Sequence, residues 1–155
     1  MPTNLYGPGD NFDLETSHVV PALIRKAHEA KELQAPSLTI WGSGQPRREL
    51  LHVDDAADAL VFLMQTYSDV QHINVGSGSD LTILQLAEQI AKIVGYTGDI
   101  ATDTSKPDGT PRKWLDSSAL FKLGWHPEIS LQDGLQGTYQ WFLDAGRHPP
   151  LSLYD

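Results

Sequence analysis

Apolar positions along this chain follow two periods, and the alternation between them predicts short strands separated by helices. Val20, Leu23, Ile24 and Ala27 recur at helical spacing, with Ser17 available as a cap and Pro21 in the first turns, which predicts a helix over 17–32. Leu38-Thr39-Ile40-Trp41 is a β-prone run closed by the turn Gly42-Ser43-Gly44-Gln45-Pro46, and 50–53 is a second strand candidate. Asp54 then stands where a helix N-cap is needed, and the helix to Tyr67 is expected to turn Ala57, Leu60, Val61 and Met64 toward the core. His72–Val75 reads as a strand followed by a Gly-Ser loop. Thr82 with Gln85 forms a capping box, opening a helix to Val94 that Gly95 stops.

Toward the end, 98–102 reads as a strand and 103–113 as a polar loop. A short helix from Asp116 or Ser117 to Leu123 follows, then a last helix capped by Ser130 and running through Leu143 on a stripe of Leu131, Leu135, Tyr139 and Phe142. At the other end, 2–6 leads into the turn cluster Gly7-Pro8-Gly9-Asp10-Asn11 and reads as a strand. The pattern predicts an α/β fold with a small sheet, with 1–147 as one region and 148–155 as a frayed tail.

Composition narrows the function classes. Apolar residues make up 40% and charged residues 20% of the 155, the balance of a globular chain. A net charge of −9 argues against nucleic acid, whose recognition rests on basic patches. The cations are instead clustered locally, at Arg25-Lys26, Arg47-Arg48 and Lys106 with Arg112-Lys113, which suits a small anionic ligand. No apolar run has the length of a membrane span, and with no cysteine the default setting is the cytoplasm.

Several catalytic signatures are absent. Neither Gly42-x-Gly44 nor Gly76-x-Gly78 has the third glycine of a dinucleotide loop, and no Tyr-x-x-x-Lys pair occurs. His52-Val53-Asp54-Asp55 could be taken for metal ligands, but a helix start is the better reading, and no metal is expected.

Several segments together nevertheless carry a resemblance. They are Pro2-Thr3-Asn4-Leu5-Tyr6-Gly7-Pro8, Trp41-Gly42-Ser43-Gly44 with Arg47-Arg48-Glu49-Leu50-Leu51-His52-Val53-Asp54-Asp55, Ile73-Asn74-Val75-Gly76, Lys106–Lys113 and Tyr139-Gln140-Trp141-Phe142. In this order they resemble the C-terminal half of the GDP-L-fucose synthases, extended short-chain dehydrogenase/reductases of the Rossmann type. The resemblance implies that the NADP loop and the Ser/Tyr/Lys catalytic group belong to an N-terminal half that this chain lacks. It implies a GDP-sugar substrate, an NADP cofactor held mostly by that missing half, and no activity for the chain alone. The family's homodimer rests largely on that half and is not carried over. A dTDP- or UDP-sugar enzyme fragment and a non-catalytic sugar-nucleotide-binding module are the rival readings.

The resemblance also implies residue roles. Pro2, Thr3, Asn4 and Leu5 match the segment lining the nicotinamide. His18 matches a histidine near both nicotinamide and sugar, and an imidazole can move protons in a 3,5-epimerisation; its alternative is a solvated first-turn histidine. Lys26 falls where the family often has an arginine facing the phosphates, and Arg25 could substitute. Trp41 matches a residue at the guanine, its alternative being a buried strand tryptophan. Arg48 is expected to reach the diphosphate, with Arg47 facing solvent. Lys113 is expected near phosphates or ribose, and Asp108 near a hydroxyl or guanine N–H. Asn74, Asp54 and Asp55 are read as structural.

Overall fold

The computed structural model describes residues 1–145, and the tail expected at 148–155 lies outside them. The elements are β1 (Asn4–Tyr6), α1 (Val19–Glu32), β2 (Ser37–Trp41), β3 (Arg47–His52), α2 (Val53–Thr66), β4 (Asp80–Thr82), α3 (Ile83–Val94), β5 (Asp99–Asp103), β6 (Arg112–Lys113), α4 (Ser118–Lys122) and α5 (Leu131–Ala145). Two small sheets organise them. Strands β2 and β5 pair in parallel, from Ser37 opposite Asp99 to Trp41 opposite Asp103. Strand β3 organises the other sheet and is shared along its length. Leu50 to His52 pair in parallel with β1, whereas Arg47 to Glu49 pair antiparallel with β4, and Arg47 and Arg48 also pair in parallel with β6.

The strand therefore starts three residues earlier than the apolar run 50–53 predicts. Charged residues can join it because each finds a partner. Arg47, whose side chain stays partly open to solvent as expected, donates to the Asp80 carboxylate from Nε at 3.0 Å and Nη2 at 2.8 Å, and Arg112 holds the second oxygen of the same carboxylate. Hydrogen bonds from these two guanidinium groups hold the Asp80 carboxyl below the usual carboxylate range. His72–Val75 forms no full strand; Val75 alone bridges Pro2.

One core packs α1, α3 and α5 through Ile24, Ala27, Leu86, Ile90 and Leu135, all essentially inaccessible. A second gathers Leu51, Ala56, Ala59, Val75, Leu120 and Trp125. The caps of α3 and α5 follow the sequence, whereas Ser17 does not cap α1, whose N-cap is His18. Thr82 and Gln85 make both bonds of the capping box, Gly95 ends α3 at φ 79, and Ser130 Oγ accepts from the Asp133 N–H.

Helix α2 departs from expectation twice. Its N-cap is His52, whose Nδ1 accepts from the Asp54 N–H at 3.2 Å, so Asp54 sits inside the first turn. Its buried side is Asp55, Ala56 and Ala59, not the larger apolar stripe. Leu60 is 56%, Val61 53% and Met64 85% exposed, with Ala57 beside them. Ala56 and Ala59 pack with Leu51 of β3, and Phe62 and Leu63 are partly buried against the same cluster. Asp55 can be buried because its two oxygens accept from the Glu128 and Ile129 N–H groups, each at 3.1 Å.

Candidate functional site

Two neighbouring cavities hold most of the residues singled out by sequence. The first, about 600 Å³, is walled by Thr3, Asn4 and Leu5 of the β1 segment, by the Gly7–Asp10 turn and by His18 and Val19 at the start of α1, with Arg48 and Lys113 on its far side. Strand β1 presents this wall because it is anchored from behind. Asn4 Nδ2 donates to the Glu49 carbonyl at 2.8 Å and Thr3 N–H to the Val75 carbonyl at 2.9 Å. His18 is the backbone N-cap of α1 but makes no side-chain capping bond, so its exposed imidazole is left for the cavity. Pro2 does not line the cavity; it sits behind the wall, against Val75.

The second cavity, about 660 Å³, runs between α1 and the β2 turn. Lys26, Trp41, Arg48 and Asp108 line it, on an apolar floor that includes Leu23 and Ile40. Trp41 is 66% exposed, which removes the reading of a buried strand tryptophan. Lys26 Nζ lies 5.1 Å and Lys106 Nζ 5.8 Å from the centre of its ring, so two ammonium groups crowd one indole. Lys106 stood in sequence at the head of the Lys106–Lys113 block, without a role of its own, since its contact with Trp41 spans the β2–β5 pairing. Arg25, named as a substitute for Lys26, has partners of its own and does not line this cavity. It donates to Glu29 at 2.8 Å and to the Phe12 carbonyl at 3.1 Å.

Arg48 lines both cavities. Its Nη1 donates to the Arg47 and Thr110 carbonyls, each at 2.7 Å, which ties the polar loop to the strand. Lys113 stands opposite it in register, on β6, and both cations line the first cavity. Asp108 serves the turn rather than open space. One carboxylate oxygen accepts from the Ser43 N–H at 2.8 Å and the other from Ser43 Oγ at 2.7 Å, and these bonds lower its carboxyl below the ordinary range. Gly42, at φ 76, lies so close to Asp108 Oδ1 that a Cβ there would collide with it.

Asn74 donates to the Asp116 carbonyl at 3.0 Å, in keeping with a structural part. Among the described residues no group of three His, Asp or Glu side chains is arranged to hold a metal ion, and no helix is long and apolar enough to cross a membrane.

The family model of the NAD dependent epimerase/dehydratase family matches residues 1–76. GDP-L-fucose synthase 1 of Arabidopsis thaliana is 57% identical over 143 residues, covering 92% of this chain and 44% of the relative. GDP-L-fucose synthase of Escherichia coli K12 is 56% identical over 153 residues, covering 93% of this chain and 48% of the relative. The crystal structure of a GDP-L-fucose synthetase from Naegleria fowleri bound to NADP superposes with a TM-score of 0.89 at 32% identity, covering 95% of this chain and 46% of that one. The chain thus spans about half the length of the relatives it matches. Along nine-tenths of its length the chain is thus similar, at more than half identity, to GDP-L-fucose synthases, and its first 76 residues match the NAD dependent epimerase/dehydratase family.

Proposed function

We propose that this chain is the C-terminal, GDP-sugar-binding part of an NADP-dependent 3,5-epimerase/4-reductase that converts GDP-4-keto-6-deoxy-mannose to GDP-L-fucose in the cytoplasm, and that it does not catalyse alone. The observation that carries the reading is the meeting of the two cavities at Arg48. A diphosphate is a bridge between two unlike ends, and one guanidinium between two cavities suits it. The second cavity offers an indole face for guanine, with Lys26 beside it. The first offers His18 as the proton-transfer group for the sugar.

The first cavity also fits the nicotinamide end of NADP. Thr3, Asn4 and Leu5 form a flat wall beside the His18 imidazole, and the side chain of Asn4 is fixed by its bond to Glu49. When bound, NADPH supplies the hydride for C4. The residues of this chain orient the sugar and the ring, and His18 moves a proton at its imidazole. The larger share of the cofactor contacts falls to an N-terminal half like that of the longer relatives. The exposed Leu60, Val61 and Met64 of α2 support such a partner, since an apolar helix stripe in water is an interaction surface in waiting.

Titration of the chain with GDP-mannose, against UDP-glucose as control, tests this reading by calorimetry and Trp41 fluorescence. Saturable binding of the GDP sugar alone is expected. Equal binding of both would shift the assignment to another nucleotide-sugar enzyme. Absence of binding by a folded chain, repeated with the N-terminal half present, would sink it.

A further inference from the structure

Glu49 lies between the two cations and the β1 wall, and its side chain is completely buried. Burying a carboxylate is costly unless its oxygens are satisfied. The ion pairs of the described residues do not include it. Its partners are backbone amides instead. One oxygen accepts from the Gly78 N–H at 2.8 Å and the other from the Leu115 N–H at 2.9 Å. Gly76 has no Cβ where one would stand 2.5 Å from the same carboxylate, which lets the loop close over it. Side chains alternate along a strand. Arg48 therefore reaches out to Thr110 and the cavities while Glu49 reaches into the interior.

We infer that Glu49 is a positioning residue, whose carboxylate clamps the segment carrying Lys113 and so holds Lys113 beside Arg48 as a preformed anion site. The clamp works from both ends of one short piece of chain. Arg47 N–H donates to the Pro111 carbonyl at 2.8 Å and Glu49 accepts from Leu115, so residues 111–115 are held at either side of Lys113. The carbonyl of the same Glu49 anchors Asn4, so one residue fixes both walls of the first cavity. A neutral glutamine of equal size offers one acceptor oxygen and one NH2, and the NH2 would face an amide donor.

The inference rests on the anion-binding reading of Arg48 and Lys113, and three probes separate the two. The chain and Glu49→Gln are titrated with GDP, inorganic pyrophosphate and guanosine, and amide exchange is followed in both. Glu49→Gln is expected to weaken GDP and pyrophosphate about tenfold, to leave guanosine within about twofold, and to speed exchange at Gly78 and Leu115 while α3 stays protected. Equal weakening of guanosine and GDP, or unchanged pyrophosphate binding, overturns the positioning role. Pyrophosphate binding by the unaltered chain, with no binding of guanosine and no gain of GDP over pyrophosphate, defeats the guanine reading alone. No binding of either anion removes the site and the inference together. If Glu49→Gln fails to fold, exchange in the unaltered chain decides: pyrophosphate must slow Leu115 and Gly78 together, and unaltered rates there overturn the clamp.

Discussion

Arg48 is the residue on which the site turns, and its loss should be felt in binding rather than in folding. Arg48→Ala is expected to cost about 2–3 kcal/mol of GDP-sugar affinity, the scale of a charge-assisted hydrogen bond, and calorimetry reads it directly. An affinity unchanged by the substitution would remove Arg48 from the diphosphate. Asp80 carries the opposite balance. Its folded pKa lies below the ordinary value of 3.8 because Arg47 and Arg112 both hydrogen-bond it. The unfolded chain therefore takes up its proton first as pH falls. The stabilisation is complete above about pH 4 and is lost as pH drops through the folded value. Asp80→Asn should lower stability at neutral pH and flatten the acid limb of a denaturation curve measured from pH 7 to pH 2. Identical acid limbs in the two proteins would show that the triad contributes nothing. These residues differed in legibility. Arg48 and Trp41 were marked by type and by the turn between them. Glu49 was hidden because its partners are amides 29 and 66 positions away, and a carboxylate satisfied by backbone leaves no pattern in sequence. Asp108 was visible as a polar loop residue, yet its bonds go to Ser43.

Helix α2 shows how a sound local rule can choose the wrong side. Spacing alone marks Ala57, Leu60, Val61 and Met64 as a face, and a face of large apolar residues is ordinarily buried. In the structure the contact belongs to Ala56 and Ala59, with Phe62 and Leu63 partly buried against the same cluster, and to Asp55, whose charge is met by two amides. A pair of substitutions separates the faces. Leu60→Glu with Met64→Glu should change the chain's stability by less than about 0.5 kcal/mol, as surface changes do. Ala59→Leu, at a fully buried position, should cost about 1–3 kcal/mol through overpacking. Urea unfolding measures both, and the reverse ranking would mean that the stripe is core after all. The capping box of α3, the Ser130 cap and the β2 run were readable because their signals are local, whereas Ser17 and Asp54 each stood near the residue that caps. The start of β3 was not, since three successive charged residues resemble a loop until Asp80, Gly78 and Leu115 supply partners from elsewhere in the chain.

Over the whole chain, the alternating pattern gave the α/β class, but periodicity could not reveal two separate small sheets, one of them built along β3. The order of motifs carried the family further than any single motif, and relatives about twice as long share this region at more than half identity. Ligand linkage provides a global test. GDP-mannose at a hundred times its Kd should raise unfolding free energy by about 2.7 kcal/mol, visible as a thermal shift that UDP-glucose does not give. Equal shifts from both sugars would count against a guanine-selective pocket. The position of Arg48 on the border of two cavities has one more consequence. Under the proposed reading, occupants of the two cavities draw on a single guanidinium, so each should alter the other's affinity. Whatever factor one occupant adds to or takes from its neighbour's affinity must be returned in equal measure, and the order of filling becomes a matter of kinetics alone.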